Sequence, residues 1–188
     1  MTTANRWFGR VILVALLALA ACTPKPSPHG TPTANPSLHA PSPAPSSPDP
    51  RAEVQKAVAA YTNLLNAFTA ASNAGTDDTT ELALYGTGSA LQRLAKGLAD
   101  NKAKGLHSQG TPVIDPPHIT AIAPVSDPTT VEITGCVDDT HWQLYNSSGQ
   151  LADTSPSGRR STSAKIDKGG EVWKVSSLAI QGVGTCPG

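Results

Sequence analysis

The sequence is poor in cysteine and in charge and has no long apolar run, and each of these shortages argues against a class of protein. Only 15% of the 188 residues are charged and the 14 basic residues equal the 14 acidic ones, so no basic stripe for nucleic acid is expected. Three cysteines without close histidine companions do not make the ligand set of a zinc site. The apolar run from Val11 to Ala20 is ten residues long, whereas a membrane-spanning helix needs ~20. We therefore expect no nucleic-acid partner, no metal, no cofactor and no transmembrane helix.

The first 22 residues have the layout of an export signal. Two arginines precede the apolar run, no acidic residue occurs before Cys22, and small residues end the run. The four residues Leu19-Ala20-Ala21-Cys22 resemble the lipobox of bacterial lipoproteins, Leu-(Ala/Ser)-(Gly/Ala)-Cys, at every position. The resemblance implies a diacylglycerol on the Cys22 thiol and cleavage between Ala21 and Cys22. The alternative is a plain secretory signal in which Cys22 is incidental.

The lipobox resemblance also implies a location. Two acyl chains hold a protein on a bilayer stably, whereas one chain holds it only marginally. Thr23 follows Cys22, so the aspartate that marks retention in the inner membrane of double-membrane bacteria is absent. The composition, rich in Ala, Thr, Pro and Gly, resembles that of actinobacterial lipoproteins. We expect a chain anchored to the cell membrane on its extracytoplasmic face, within the cell envelope.

A proline-rich tether is predicted between the anchor and the folded part. Ten of the 28 residues from Thr23 to Pro50 are proline, which fixes φ and removes a backbone donor, so polyproline II is favoured over helix or sheet. At ~3.1 Å per residue the tether reaches roughly 90 Å at most. The predicted organisation is a signal peptide (1–21), a lipidated cysteine and disordered tether (22–50) and one domain (51–188). That domain has 11 basic and 13 acidic residues.

The two remaining cysteines are predicted to form a disulfide. Lipidation of Cys22 leaves Cys136 and Cys186, and thiols outside the membrane are oxidised. A bridge between them closes a loop of about 50 residues, for which the chain-entropy model gives ~4 kcal/mol of stabilisation. The pairing requires Cα atoms within ~7 Å of each other. It also requires the C-terminal segment to run beside the strand that contains Cys136.

The first half of the domain has the periodicity of helices. Asp49 and Pro50 are a capping residue and a first-turn proline, and a helix that ends near Gly75 follows them. Its apolar residues recur at steps of three and four, and they are Val54, Ala57, Val58, Tyr61, Leu64, Leu65 and Phe68. A short helix over Glu81 to Tyr85, a turn at Gly86-Thr87-Gly88 and a second long helix with Leu91, Leu94 and Leu98 inside follow.

The second half changes to the alternation of strands. The segment Val113 to Val125 contains three prolines and directly follows a fourth, Pro112, so its regular part, His118 to Ala123, is predicted to be an edge strand. The further predicted strands are Thr130 to Val137, His141 to Tyr145, Ser161 to Ile166 and Glu171 to Ile180. We expect Asp138-Asp139 to be a hairpin turn and Arg159-Arg160 to lie in a solvated loop. His107 and His118 are also predicted to be solvated.

Helices followed by an antiparallel meander predict an α+β fold, with N-terminal helices packed on a curved antiparallel sheet of four to five strands. The long amphipathic first helix and the last strand, Glu171-Val172-Trp173-Lys174-Val175 after a Gly-Gly turn, resemble the NTF2-like (cystatin-like) cone over residues 51 to 181. The resemblance implies a conical pocket. Enzymes of that group, such as ketosteroid isomerase and the SnoaL-like cyclases, place an Asp or His inside it.

Asp138 and His141 are the residues that fit such a role best, since a carboxylate beside an imidazole can act as an acid/base pair. The simpler interpretation assigns Asp138 to a turn and His141 to an exposed strand face, with Trp142 and Trp173 in the core. No catalytic motif is present. We therefore expect a non-enzymatic binding or accessory module with an envelope-protein or cell-wall partner. The alternative is a small-ligand binder or isomerase-type enzyme that uses the cone.

Overall fold

The computed structural model describes residues 49–152 and 156–186. The signal peptide, Cys22 and the tether up to residue 48 lie outside this range, so the lipobox and its cleavage site stay predictions. The described helices are α1 (Pro50–Asn73), α2 (Thr80–Tyr85) and α3 (Gly88–Ala103). The described strands are β1 (His107–Gly110), β2 (Val113–Ile114), β3 (His118–Ala123), β4 (Thr130–Asp138), β5 (Trp142–Tyr145), β6 (Arg159–Gly169) and β7 (Val172–Val183).

The predicted fold class is confirmed. The helices precede a strongly curled antiparallel sheet that forms a half-barrel like a cone. Its strand order is β2–β4–β6–β7, and β3 also pairs with β4 along the edge that β2 occupies. Strands β1 and β5 form a separate two-stranded sheet. Helix α1 packs against β1, β6 and β7, and α3 packs against β7.

Helix α1 forms where its capping signals predict. The Asp49 side chain accepts a hydrogen bond from the backbone N–H of Arg51 at 2.9 Å, and Pro50 occupies the first turn. The helix ends at Asn73, and Gly75 follows with φ of 63°, a conformation that glycine adopts at no steric cost. The predicted apolar stripe is turned inward, although Val58 and Phe68 are only half-buried.

The core lies between α1, α2, α3 and the inner face of the sheet. Alternate residues of β4 are buried, with Val131 and Ile133 inside and Glu132 exposed, as the two-residue period of a strand requires. The Tyr61 ring is fully buried, and its hydroxyl is 2.7 Å from Thr162 Oγ1 on β6. Burial raises the pKa of Tyr61. The predicted core position of Trp173 is confirmed, since its side chain is buried.

The predicted hairpin at Asp138-Asp139 is wrong. Strand β4 has β6 as its neighbour, and β5 pairs instead with β1, so the strand that follows the turn leaves the main sheet. Strand β1 was not predicted, because its sequence, His-Ser-Gln-Gly, has no apolar residue to show a period. His107, predicted to be solvated, lies in this strand and is half-buried beside Tyr145.

The predicted solvated loop at Arg159-Arg160 is also wrong, because β6 begins at Arg159. Arg159 Nη2 lies 2.6 Å from Asp115 Oδ2, and Arg160 Nε lies 2.6 Å from Asp139 Oδ2. The first two residues of β6 are therefore each paired with a carboxylate from another segment of the chain. Both arginines are ion-paired at the start of a strand and do not belong to a solvated loop.

A buried carboxylate joins the first turn of α1 to the hairpin between β6 and β7. Glu53 is 3% exposed, and its oxygens accept from Lys168 Nζ at 2.8 Å, Lys56 Nζ at 2.7 Å and Trp173 Nε1 at 2.9 Å. These hydrogen bonds, with that of Lys168 the largest cause, lower the pKa of Glu53 from 4.5 to about 2. The role of Glu53 is not visible in the sequence, since two of its three partners, Lys168 and Trp173, lie more than 100 residues away.

Acid should weaken the domain through Glu53. Because its pKa is lower in the folded chain than in the unfolded one, its stabilisation is complete above pH 4.5 and is lost as pH falls towards about 2. We expect Glu53→Gln to be less stable than wild type at pH 7 and to lose less stability on acidification. Denaturant unfolding of the full chain between pH 7 and pH 3 measures this. The control is Glu81→Gln, which replaces an exposed carboxylate on α2. If the free energy of unfolding fell equally with pH in Glu53→Gln and in wild type, the stabilising role of the Glu53 carboxylate would be contradicted.

Candidate functional site

The two predicted disulfide cysteines lie together. Cys136 on β4 and Cys186 in the C-terminal tail are bonded, with Cα atoms 6.0 Å apart, which satisfies the ~7 Å requirement. The C-terminal tail lies beside β4 as expected, with Cys186 Sγ 3.9 Å from the carbonyl oxygen of Gly135, although β6 separates β7 from β4 in the sheet. To reach β4 the tail crosses the first residues of β6, where Thr185 Oγ1 accepts from the backbone N–H of Ser161 at 2.9 Å. The disulfide thus holds the tail over the start of β6.

A small cavity of about 130 Å³ opens between the last turns of α1 and α3, the β1–β5 sheet and the start of β6. One wall is aromatic: the rings of Phe68 and Trp142 meet edge to face, with centroids 5.8 Å apart. The lining also has a polar part that includes Asp139 and Arg160, which bind each other. We call this space the mouth cavity.

Asn73 positions the β1–β5 sheet over the mouth cavity. Its Nδ2 donates to the carbonyl oxygen of Gly110 on β1 at 2.8 Å, and its Oδ1 accepts from Trp142 Nε1 on β5 at 3.0 Å. One step before it on α1, the buried Ser72 hydroxyl bonds to the buried Ser108 hydroxyl on β1. The last turn of α1 therefore fixes both strands that wall the cavity.

Neither catalytic candidate lines the mouth cavity. Asp138 ends β4, and its Oδ1 accepts from the Thr140 hydroxyl and, at 2.9 Å, from the Thr140 backbone N–H. The side-chain hydrogen bond from Thr140, followed by the backbone one, lowers the pKa of Asp138 and keeps it ionised. His141 is exposed in the turn before β5. The carboxylate that does face the cavity is Asp139.

Asp139 has no free side-chain oxygen for chemistry. Its Oδ2 binds Arg160, and its Oδ1 accepts from the backbone N–H of Gly158 at 2.6 Å. Sequence analysis missed the Asp139–Arg160 pair and the role of Asn73. An Asn at a helix end reads as a capping residue, and no local pattern relates it to residues 37 and 69 positions away.

Neither a metal-binding cluster nor a membrane-spanning helix is found among the described residues. Within residues 49–152 and 156–186, no group of three or more His, Cys, Asp or Glu side chains could hold a metal ion. In the same part of the chain, no helix has the length and apolar character needed to span a bilayer. A surface groove of about 410 Å³ lies between α1 and α2, beside Tyr85.

Comparison with protein-family models and with curated proteins finds no match for this sequence. The solved structures that superpose on this chain include the following two. The intermembrane space region of the chloroplast protein ARC6 superposes with a TM-score of 0.47 and 12% identity, over 72% of this chain and 98% of that one. A candidate aromatic ring hydroxylase from Novosphingobium aromaticivorans superposes with a TM-score of 0.46 and 10% identity, over 68% of this chain and 89% of that one. Neither likeness says anything about the activity of this chain.

Proposed function

We propose that the chain is a lipid-anchored lipoprotein of the cell envelope, and that its NTF2-like domain is a non-enzymatic binding or accessory module. The observation that carries the proposal is the pairing of Cys136 with Cys186. This pairing uses two of the three cysteines and belongs to an oxidising compartment. Cys22, directly after an apolar run and within a lipobox-like tetrapeptide, is then the one thiol left for a lipid.

The non-enzymatic part of the proposal is supported by how the cone is filled. Tyr61 and Trp173 occupy its interior, and the mouth cavity of about 130 Å³ is well below the ~300–1,000 Å³ of ordinary ligand pockets. The Asp139 carboxylate in that cavity is held in an ion pair. A general base would need a carboxylate or imidazole that is free to take a proton from a substrate. Binding through an outer surface fits these features better than catalysis.

Changing Cys22 to alanine should detach the protein from the membrane. Without the thiol no diacylglycerol is added, and the remaining apolar run is too short to span a bilayer. In a bacterial expression host we expect wild type in the membrane fraction and in the detergent phase. Cys22→Ala should appear as uncleaved precursor or in the soluble fraction. Mass spectrometry of wild type should find Cys22 as the first residue, carrying the lipid.

The matched control is the double variant Cys136→Ala with Cys186→Ala, which removes two thiols and leaves the lipobox intact. It should stay in the membrane fraction. Wild-type-like fractionation of Cys22→Ala would refute the lipoprotein proposal, and loss of the control from the membrane would assign the effect to misfolding.

A second candidate function is the binding of a small, partly aromatic ligand in the mouth cavity. The presence of the edge-to-face pair of Phe68 and Trp142 and of the Arg160 side chain in one cavity lining favours it. Titration of benzoate, followed by the fluorescence of Trp142, tests this function. Quenching that saturates in wild type and is absent in Trp142→Phe and Arg160→Ala would support it. A linear response in all three proteins would exclude benzoate as a ligand.

A further inference from the structure

The outer side of β3 is the open edge of the main sheet. Strand β3 pairs with β4 on one side, and within the described part of the chain no strand pairs with its other side. The opposite edge, β7, is partly closed by the start of α3. Thr87 N donates to Val175 O at 2.9 Å, and Ser89 Oγ donates to Ser176 O at 3.2 Å. The unpaired backbone groups of β3 are a template for one more strand.

The side chains of this edge do not repel another strand. Edge strands are commonly protected by charged residues, above all lysine, but β3 reads His-Ile-Thr-Ala-Ile-Ala and carries none. Ile119 on β3 is 46% exposed. Val113 before the strand and Val125 after it are 56% and 75% exposed. Unpaired backbone and exposed apolar side chains therefore occur on the same edge.

Prolines limit how far pairing along this edge can extend. Pro117 and Pro124 flank β3, and neither has an N–H to donate. A bulge between Ile119 and Ala121 adds a local twist. A third strand or a fibre is thus disfavoured, whereas a single partner strand of six residues fits between the prolines. A two-fold antiparallel contact uses the edges of both partners completely and leaves none open.

We propose that two copies of this chain pair through β3, antiparallel, about a two-fold axis between Thr120 and Ala121. In this arrangement Ile119 of one copy lies opposite Ile122 of the other. Apolar β-branched pairs across strands are stabilising, and no two like charges meet, because the strand has no charged side chain.

The expected dimer is weak in solution. A pair of six-residue strands is only about 20 Å long. We therefore expect the contact to bury less surface than the ~1,200 Å² of specific stable complexes. Anchoring two copies to one membrane raises their effective concentration towards the millimolar range. This step rests on the proposed lipid anchor, and the tether, with its reach of roughly 90 Å, lets two neighbouring domains meet.

Cysteine crosslinking of the full chain in isolated membranes tests the pairing. At Ala121, beside the axis, cysteines of two copies would have Cα atoms within the ~7 Å that a disulfide allows. At Val125 they would be roughly 30 Å apart, at ~3.3 Å per residue. Mild oxidation should give at least about tenfold more covalent dimer with Ala121→Cys than with Val125→Cys, since 30 Å exceeds the reach of a disulfide. Equal crosslinking at the two positions, or none at Ala121→Cys, would overturn the proposal.

A charge on the edge provides the second test. Ile119→Lys added to Ala121→Cys should abolish the covalent dimer, because two lysines would face the partner strand. Val172→Lys on β7, where the side chain is 51% exposed, should leave it unchanged. Persistence of the dimer with Ile119→Lys would overturn the pairing.

Different experimental results would refute the proposed anchor and the proposed pairing. A chain that is found soluble yet crosslinks at Ala121→Cys, when concentrated to about 1 mM, would refute the anchor and keep the pairing. A membrane-bound or concentrated soluble chain that does not crosslink would refute the pairing.

Discussion

Replacing Cys136 and Cys186 together by alanine is expected to lower the free energy of unfolding by about 4 kcal/mol. The bond closes a loop with a sequence separation of 50 residues, and losing it lets the unfolded chain explore more conformations. It also frees the tail that crosses β6. Urea unfolding of the full chain, followed by tryptophan fluorescence, measures the change, and wild type in excess reductant should match the double variant.

Thr185→Ala is the matched control for the disulfide. It removes the hydrogen bonds between the tail and Ser161 while the bond from Cys186 remains. We expect it to cost about 1 kcal/mol, the ordinary net value of a hydrogen bond. If oxidised and reduced wild type unfolded at the same urea concentration, the stabilising role of the disulfide would be excluded.

Gly110→Ala is expected to separate β1 from β5 and to open the mouth cavity. Gly110 has φ of 87°, and a Cβ built on it overlaps the carbonyl oxygen of His141. The backbone must therefore move, and the hydrogen bond from Asn73 to Gly110 moves with it. We expect a loss of about 1–2 kcal/mol from the left-handed conformation and of roughly 1–3 kcal/mol more from the overlap.

Gly105→Ala separates these two causes. Gly105 has φ of 67°, and a Cβ there meets nothing within 4 Å, so the substitution carries the conformational strain without the overlap. The Trp142 indole N–H resonance, which reports its hydrogen bond to Asn73, should shift in Gly110→Ala and stay in place in Gly105→Ala. Equal losses of stability in the two variants would show that the close approach of β1 to His141 is unimportant.

Local signals in the sequence predicted the elements whose bounds are set by residues within a few positions of them. Asp49, Pro50 and Gly75 predicted the bounds of α1, because a cap, a first-turn proline and a left-handed glycine act within a few residues of themselves. The prolines around β3 predicted an edge strand, since a residue without an N–H cannot serve a central ladder. Both predictions are confirmed.

Pairing over long distances was not predictable in the same way. The Asp138-Asp139 turn is a correct sign that β4 ends, but it carries no information about which strand comes next in the sheet. That choice depended on β1, whose polar sequence gave no period. The partners of Glu53 and Asn73 were missed for a similar reason, because a carboxylate or amide shows its buried partners only once the chain is folded.

The contacts of α1 have a consequence for when the domain can fold. Its N-terminal turn holds Trp173, 120 residues away, and Tyr61 holds Thr162, 101 residues away. Contacts between residues so far apart in sequence slow folding, since the entropy of closing long loops is lost before the contacts form. A chain threaded through a membrane from its N-terminus would have α1 outside before β6 and β7 arrive. The emerging helix would have no core to join until almost the whole polypeptide had crossed, so the fold itself would keep the chain loose enough for translocation.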